Sequence, residues 1–481
     1  MSALEYRHSA AVQEPGTIVP YSAIVHGARA CASALLEGRD SLAGQRVALL
    51  ASPGAGFVEA FFGILYAGGC AVVLSTLHPP AETAFFCSDA QVETILVSAS
   101  LAERVAGLGP RILTTDEARR HAPGALPSPR AGDPALQLYT SGTTGKPKGA
   151  VLTHGNLGVQ QELLGEAWEM RPDDVLVHAL PLHHMHGLCI ALLTTLGAGA
   201  CALMLPQFEA RSVWESLARG SVLMAVPTMY SKLLAAFEQV DPSTRERWAQ
   251  SARQLRLATS GSAALPVSVG EKWRALAGAY PVERFGMTEL GVGATNPIQG
   301  DRRPGTVGRP LRTVDLKVVD DEMWIAGPSV FAEYYRRPEA TAEAFVVEDG
   351  KRWFRTGDTV AVDPDGYVRI LGRTSVDILK SGGYKLSALE IEEALRECAA
   401  VAEVAVVGLP DEVYGERVVA CVVARTGQEA QCSEESLRAF ARERLAPYKV
   451  PRAVVIMDAL PRNAMGKVLK RELVRRVGSG S

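Results

Sequence analysis

The residues from Tyr139 to Ala150, which read YTSGTTGKPKGA, have the composition of an anion-binding loop. Glycines let main-chain N–H groups turn toward an anion, and serine and threonine hydroxyls donate further hydrogen bonds to phosphate oxygens. Lys146 and Lys148 add positive charge within the same stretch. It is not a Walker A loop, because Pro147 stands where that motif requires serine or threonine. A polar surface turn explains a Gly/Ser/Thr loop of this kind about equally well when the loop is taken alone.

Several further segments could supply groups that a nucleotide and its metal need. Glu289 ends the string RFGMTE, and Mg²⁺ is typically held by one or two carboxylates together with phosphate oxygens. Asp358 ends RTGD, and Lys467 ends PRNAMGK near the end of the chain. Taken singly, each has a simpler reading: an exposed glutamate, a turn aspartate and a solvated lysine.

Together these motifs resemble the adenylate-forming superfamily, which includes acyl-CoA synthetases, luciferases and the adenylation domains of peptide synthetases. The resemblance implies an ATP- and Mg²⁺-dependent ligase that forms an acyl-AMP and then an acyl-CoA. It implies metal contacts for Thr143 and Glu289 and a ribose contact for Asp358. The full set that it implies for ATP and its phosphates is Thr140, Ser141, Gly142, Thr143, Thr144, Gly145, Lys148, Gly261, Ser262, Ala263, Phe285, Gly286, Thr288, Asp358 and Arg373.

The resemblance also assigns residues to the chemical steps. Lys467 would contact the acyl carboxylate and the phosphate, where neutralising charge assists attack on the α-phosphorus. His184, in LPLHHMHG, would border the acyl tunnel. Ser381, Gly382 and Gly383 would let the pantetheine arm of coenzyme A pass close to the backbone. The three histidines of that string could suggest a metal, but no acidic or cysteine partner is spaced with them.

The choice of acid depends on Arg284, which directly precedes the FGMTE string. A planar guanidinium binds a carboxylate through two hydrogen bonds, so an arginine near the acyl pocket suits an acid with a second carboxylate. Lys232 is a second candidate cation for the substrate. With the run RRPGTVG at 302–308, the chain looks most like malonyl-CoA synthetases, which implies malonate or methylmalonate. Alternatively, Arg284 forms an internal salt bridge, for which Glu283 is the candidate partner.

Three rival functions stay open at this stage. The chain could be a short- or medium-chain monocarboxylate acyl-CoA synthetase in which Arg284 is structural. It could be an acyl-AMP ligase that loads a carrier protein instead of free coenzyme A. It could also be a non-catalytic protein that kept the fold, although Thr143, Glu289, Asp358 and Lys467 are all present.

Alternating apolar strands and helical stretches up to about residue 310 predict an α/β architecture, with a small antiparallel β unit after Thr313. We predict a large N-terminal domain of α/β subdomains over 1–372. A small, mobile α+β C-terminal domain follows over 373–481, with a hinge near 373–376, where Ser375 and Val376 depart from the family pattern.

Composition limits the function classes. The chain has 481 residues, a net charge of −3 and 47% apolar residues, which favours neither nucleic acid nor an anionic membrane as a partner. It lacks an apolar run of the ~20 residues that span a bilayer. Eight scattered cysteines predict buried free thiols in a reducing compartment, so we expect a cytoplasmic protein. As a separate expectation, the chain forms a monomer or a homodimer.

Overall fold

The computed structural model of the chain describes residues 9–14, 16–140, 147–462 and 468–478. The strands, in chain order, are β1 (Ala10–Glu14), β2 (Thr17–Pro20), β3 (Arg46–Leu50), β4 (Cys70–Val73), β5 (Thr94–Val97), β6 (Arg111–Thr114), β7 (Pro134–Thr140), β8 (Lys148–Thr153), β9 (Val175–His178), β10 (Cys201–Met204), β11 (Val222–Ala225), β12 (Leu257–Ser260), β13 (Val282–Met287), β14 (Gly291–Thr295), β15 (Arg309–Pro310), β16 (Asp315–Val319), β17 (Glu322–Ala326), β18 (Glu333–Tyr334), β19 (Phe345–Glu348), β20 (Lys351–Val362), β21 (Val368–Arg373), β22 (Ile378–Ser381), β23 (Tyr384–Ser387), β24 (Val401–Asp411), β25 (Gly415–Ala424) and β26 (Ala453–Ile456).

The α-helices are α1 (Tyr21–Leu36), α2 (Ala55–Tyr66), α3 (Pro80–Asp89), α4 (Thr115–Arg119), α5 (His154–Ala167), α6 (Thr194–Gly197), α7 (Ala210–Leu217), α8 (Pro227–Glu238), α9 (Pro242–Arg253), α10 (Val267–Ala277), α11 (Pro338–Ala344), α12 (Ala388–Arg396), α13 (Glu434–Arg442) and α14 (Lys470–Gly478). A π-helix covers His186–Leu193, and short 3₁₀ turns cover Ala99–Arg104, Glu429–Gln431 and Pro447–Lys449.

The chain divides into two compact units. The first unit contains residues 1–265, 269–315 and 325–354, and the second contains 266–268, 316–324 and 355–481. The mixed α/β class predicted from the sequence is confirmed. The rotation of a C-terminal domain about residues 373–376 stays a prediction.

The first unit contains a seven-stranded sheet with the order β18-β8-β7-β4-β3-β5-β6. The strands from β7 through β6 in this order run parallel, and β8 and β18 add an antiparallel edge. Parallel strands are covered on both faces, which is why β4 is a short, fully buried apolar run. Strand β8 begins at Lys148, within the YTSGTTGKPKGA string.

A nine-stranded sheet in the same unit has the order β15-β14-β13-β12-β11-β9-β10-β1-β2. Strands β12 and β13 lie side by side and parallel, with Thr259 opposite Val282 and Ser260 opposite Glu283. Ligands in α/β sheets bind beyond the carboxyl ends of parallel strands. This register therefore brings Gly261, the residue after β12, next to Arg284 on β13.

The second unit is built on a sheet with the order β23-β22-β25-β24, to which β26 adds in parallel beside β25. One hydrophobic cluster contains Ile391 of α12 and Leu437 of α13, and a separate cluster contains Leu473 of α14. Helix α12 begins after Ser387, whose hydroxyl accepts the Glu390 N–H at 3.2 Å. Ser387 is therefore the N-cap of α12, while the Glu390 carboxylate pairs with Lys449.

Candidate active site

The phosphate-binding string is bracketed by two paired strands. Thr140 ends β7 and lies opposite Lys148, the first residue of β8. The predicted phosphate ligands Ser141, Gly142, Thr143, Thr144 and Gly145 lie outside the described residues, as does Lys467. Of the predicted phosphate ligands in this string, Thr140 and Lys148 are therefore the ones whose position is described.

Arg284 is buried inside the first unit, with 4% of its surface exposed. It lies on β13 opposite Thr295 of β14. Gly261 packs directly on the guanidinium, since a Cβ there would lie 2.3 Å from Arg284 Nε. Gly286 is also close, because a Cβ at that position would lie 3.1 Å from Nη1. Glycines at both positions make the space that the arginine occupies.

The Arg284 guanidinium has hydrogen-bonding capacity that the described part of the chain does not use. Both Nε and Nη2 are buried and lack a hydrogen-bond partner among the described residues. Burial lowers the pKa of Arg284 from 12.5 to about 9, so the group is still charged at neutral pH. The salt bridge with Glu283 does not form, because successive side chains on a strand point to opposite faces. Glu283 instead accepts the Gly305 N–H at 2.8 Å.

His186, the last histidine of LPLHHMHG, lies beside this arginine. His186 is 6% exposed, begins the π-helix, and its Nδ1 lies 3.1 Å from the Ser262 hydroxyl. Burial, reinforced by the nearby charge of Arg284, lowers the pKa of His186 well below its usual range. Burial also lowers the pKa of His184 to about 4. These rings are neutral at pH 7. The motif resemblance assigns a role to His184 but not to His186, which contacts Ser262.

The other predicted substrate cation lies in a different environment. Lys232 is exposed on α8, with its Nζ 5.9 Å from the centre of the Phe208 ring. Among the predicted residues, the structure brings Arg284, Gly261, Ser262 and Gly286 together. Ala263 follows them on the exposed part of the same loop.

Glu289 is buried after β13 and held by Tyr334. The Tyr334 hydroxyl donates to Glu289 Oε1 at 2.9 Å, and Glu289 is 5% exposed. Phe285 is 9% exposed, and Thr288 is partly buried. Sequence reasoning missed Tyr334, which lies 45 residues from Glu289 along the chain. A tyrosine in the string FAEYYRR carries no local signal for such a contact.

The second unit contains the predicted ribose ligand. Asp358 on β20 and Arg373 on β21 are opposite each other in the antiparallel ladder. Arg373 Nε lies 3.2 Å from Asp358 Oδ1, and Asp358 is 5% exposed. The two residues predicted to contact the nucleotide thus form an ion pair with each other.

The predicted coenzyme A segment is a tight hairpin. Ser381 ends β22 and pairs with Tyr384 of β23, leaving Gly382 and Gly383 as a two-residue turn. Both glycines have positive φ, 59° and 83°. Two-residue hairpin turns favour positive φ at both positions, which explains the glycine pair. Ser381 is 4% exposed, so the turn rather than the serine is accessible.

Within the described residues, no group of three or more His, Cys, Asp or Glu side chains could hold a metal. No helix among the described residues has the length and apolar character needed to cross a membrane. The eight cysteines are free thiols, buried except for the half-buried Cys398, as predicted.

Two family matches cover most of the chain. Residues 2–335 match the family described as AMP-binding enzyme. Residues 390–467 match the family described as AMP-binding enzyme C-terminal domain. The resemblance to the adenylate-forming superfamily, inferred from the motifs, is confirmed by these matches.

Individual relatives match over nearly the full length. The chain is 40% identical over 485 residues to the malonate–CoA ligase of Arabidopsis thaliana, covering 91% of this chain and 79% of that one. It is 39% identical over 501 residues to the mitochondrial malonate–CoA ligase ACSF3 of Bos taurus, covering 93% and 83%. The crystal structure of ATP-bound MatB from Rhodopseudomonas palustris matches with a TM-score of 0.88 at 34% identity, covering 98% of this chain and 96% of that chain.

Proposed function

The chain belongs to the AMP-binding enzyme family, and from this premise we propose that it is an AMP-forming ligase that joins malonate, or methylmalonate, to coenzyme A. One carboxylate of the acid attacks the α-phosphorus of ATP, and the bond to pyrophosphate breaks. The thiolate of coenzyme A then attacks the acyl carbon of the acyl-AMP and displaces AMP. Two steps are easier than one because the mixed anhydride is a good electrophile.

The observation that carries the choice of acid is the unpaired edge of Arg284. Nε and Nη2 form one side of the guanidinium, the side that binds a carboxylate through two parallel hydrogen bonds. Both atoms are buried and lack partners among the described residues. A buried charge without a counter-ion is costly, so the site is suited to an anion that arrives with the substrate. The second carboxylate of malonate is such an anion.

The histidines of LPLHHMHG support this assignment by being neutral. Burial lowers the pKa of His183 to about 2 and that of His184 to about 4. Neutral rings supply hydrogen bonds and shape but no positive charge. Arg284 is therefore the group in this cluster that separates a dicarboxylate from a monocarboxylate.

The residues present fit a Mg²⁺ ion that is held largely by the nucleotide. Glu289 and the hydroxyls of Thr143 and Thr288 are hard oxygen ligands, the type that Mg²⁺ prefers beside substrate phosphates. The absence of a three-residue cluster in the described part of the chain fits a site completed by ATP. When bound, Mg²⁺ would neutralise phosphate charge. The chain's contribution is to hold and orient the carboxylate.

The remaining roles are proposals of the same kind. Asp358 would bind the ribose hydroxyls, with Arg373 beside it, and Lys467 would offset charge as the carboxylate attacks phosphorus. The hairpin turn at Gly382 and Gly383 would face the pantetheine arm. The buried thiols fit a reducing compartment, and we propose the cytoplasm, although the bovine relative's name carries the word mitochondrial.

The test is a panel of acids offered to the purified protein with ATP, Mg²⁺ and coenzyme A. Malonate or methylmalonate should give acyl-CoA with kcat/KM at least ~10²-fold above acetate and butyrate, because a monocarboxylate leaves Arg284 unpaired. Preference for acetate or butyrate would establish a monocarboxylate synthetase instead. Acid-dependent pyrophosphate exchange without thioester formation would indicate carrier-protein loading. No exchange with any acid would indicate a non-catalytic protein.

A further inference from the structure

A short segment of the first unit connects the strand that leaves the phosphate loop to the turn that carries Glu289. The Phe331 N–H donates to the carbonyl oxygen of Glu289 at 2.7 Å. Two later N–H groups of the segment bond to β8 instead. Ala332 donates to the carbonyl oxygen of Val151 at 2.9 Å, and Tyr335 donates to that of Gly149 at 2.8 Å. Residues 331–335 thus fix the distance between β8 and the Glu289 turn.

Tyr334 lies at the centre of this segment and contacts a proposed ATP-binding group on each side. It pairs with Ala150 in the β8–β18 ladder and is 8% exposed. Its hydroxyl donates to Glu289 Oε1 at 2.9 Å. On the other side, Lys148 Nζ lies 5.1 Å from the centre of the tyrosine ring. One side chain therefore touches both the first described cation after the phosphate loop and the proposed metal carboxylate.

We propose that Tyr334 is a positioning residue that orients the Glu289 carboxylate toward the Mg²⁺ of bound ATP. A glutamate side chain has three rotatable bonds, and a hydrogen bond to one of its oxygens restricts where the carboxylate can point. Tyr334 is itself held by its ring contacts and by the β8–β18 ladder, so the direction of the Glu289 carboxylate is tightly restricted. The inference rests on the proposed use of MgATP and does not depend on which acid is activated.

A structural role alone predicts something different. If Tyr334 only filled space, phenylalanine would replace it without consequence, because the ring against Lys148 and against Phe331 is retained. If Tyr334 positions the carboxylate, loss of its hydroxyl in Tyr334→Phe should weaken ATP binding only when Mg²⁺ is present. Tyr335 offers a matched control: its hydroxyl bonds to Gln91 at 3.1 Å at an exposed position.

The experiment is calorimetric titration of the full chain with ATP, with and without Mg²⁺, in the absence of acid so that no turnover occurs. The wild type should bind ATP more tightly when Mg²⁺ is present. Tyr334→Phe should lose about tenfold of that Mg²⁺-linked gain, or ~1.4 kcal/mol, and keep its Mg²⁺-free affinity within about twofold. Tyr335→Phe should behave as wild type. In a Glu289→Gln background, adding Tyr334→Phe should change nothing further.

Other outcomes overturn the inference. An unchanged gain in Tyr334→Phe, or an equal loss with and without Mg²⁺, would show that the hydroxyl does not act through the metal carboxylate. So would additive losses in the Glu289→Gln background. A wild-type protein that shows the Mg²⁺-linked gain but forms no malonyl-CoA would refute the proposed acid and leave this inference standing.

Discussion

The guanidinium of Arg284 fits inside the first unit because of what two neighbours lack. Neither Gly261 nor Gly286 has a Cβ, and a methyl group at Gly261 would come within 2.3 Å of Nε. The same closeness strips water from the guanidinium and leaves its Nε–Nη2 edge without a partner among the described residues. The same packing therefore makes room for the guanidinium and leaves part of its hydrogen-bonding capacity unused.

Gly261→Ala tests this packing argument. The added methyl group should displace the guanidinium from its present position and lower kcat/KM for malonate at least about tenfold, since 1 Å misplacements are costly in a binding site. Gly158→Ala is the control, because a Cβ at this exposed position of α5 meets nothing within 4 Å and alanine favours a helix. Measured malonate kinetics that are equal in the two variants would contradict the argument.

The sequence predicted Arg284 as the acid-recognising residue but could not show whether its guanidinium is paired. Whether an arginine is paired depends on what lies opposite it across β12, β13 and β14, which are joined only in the folded sheet. The same limit hid His186 and Tyr334, whose partners Ser262 and Glu289 are distant in the chain. The proximity of Gly261 to Arg284 is likewise a consequence of strand register.

At the scale of secondary-structure elements, Glu59 joins three helices. It lies on α2 with a fully buried side chain, against Gly27 of α1, and Arg119 of α4 lies 2.8 Å from its Oε2. Burial raises the pKa of Glu59 to about 7, and the charge of Arg119 opposes that rise. A raised folded-state pKa means that stability is fully present below the unfolded value of 4.5 and is lost as pH rises through 7.

Glu59→Gln should therefore gain stability relative to wild type as pH increases. The difference between the two proteins should grow by up to about 3 kcal/mol between pH 5 and pH 8, because glutamine stays neutral where the buried glutamate ionises. Calorimetric melting temperatures at several pH values measure it. Glu103→Gln, at an exposed position, should follow the wild-type profile. Parallel profiles for wild type and Glu59→Gln would refute the claim.

Most elements were predictable because their hydrophobic periodicity is local. The apolar run over 47–51 predicts a strand, which is observed at Arg46–Leu50, and the helical spacing of apolar residues over 57–66 predicts a helix, which is observed at Ala55–Tyr66. The N-terminal hairpin of β1 and β2 was not predicted. Its strand β1 pairs with β10, about 190 residues later, and so distant a partner leaves no mark in the short sequence AAVQE. The π-helix at His186–Leu193 was also missed, since its apolar pattern fits an ordinary helix.

For the whole molecule, we propose that the two units contribute different groups to the reaction. The acid cluster around Arg284 lies in the first unit, while Asp358 and the Gly382–Gly383 turn belong to the second. Individual residues can be assigned to one half-reaction by substitution, because a group needed for one step should leave the other intact.

Lys467→Ala should lower acyl-AMP formation at least ~10²-fold, since it removes a cation from the developing charge. Conversion of chemically prepared malonyl-AMP to malonyl-CoA should fall much less. Single-turnover measurements of each half-reaction separate the two effects. Equal losses in both steps would contradict the assignment of Lys467 to adenylation.

The most direct test of the account is the ratio of kcat/KM for malonate to that for acetate in wild type, Arg284→Ala and Arg284→Met, the last of which keeps most of the side-chain volume. We predict a ratio of at least ~10² in wild type, because acetate leaves the buried guanidinium unpaired. Both variants should bring the ratio close to one through loss of malonate activity, with melting temperatures no lower than that of wild type. A ratio that stays high in either folded variant would contradict the account.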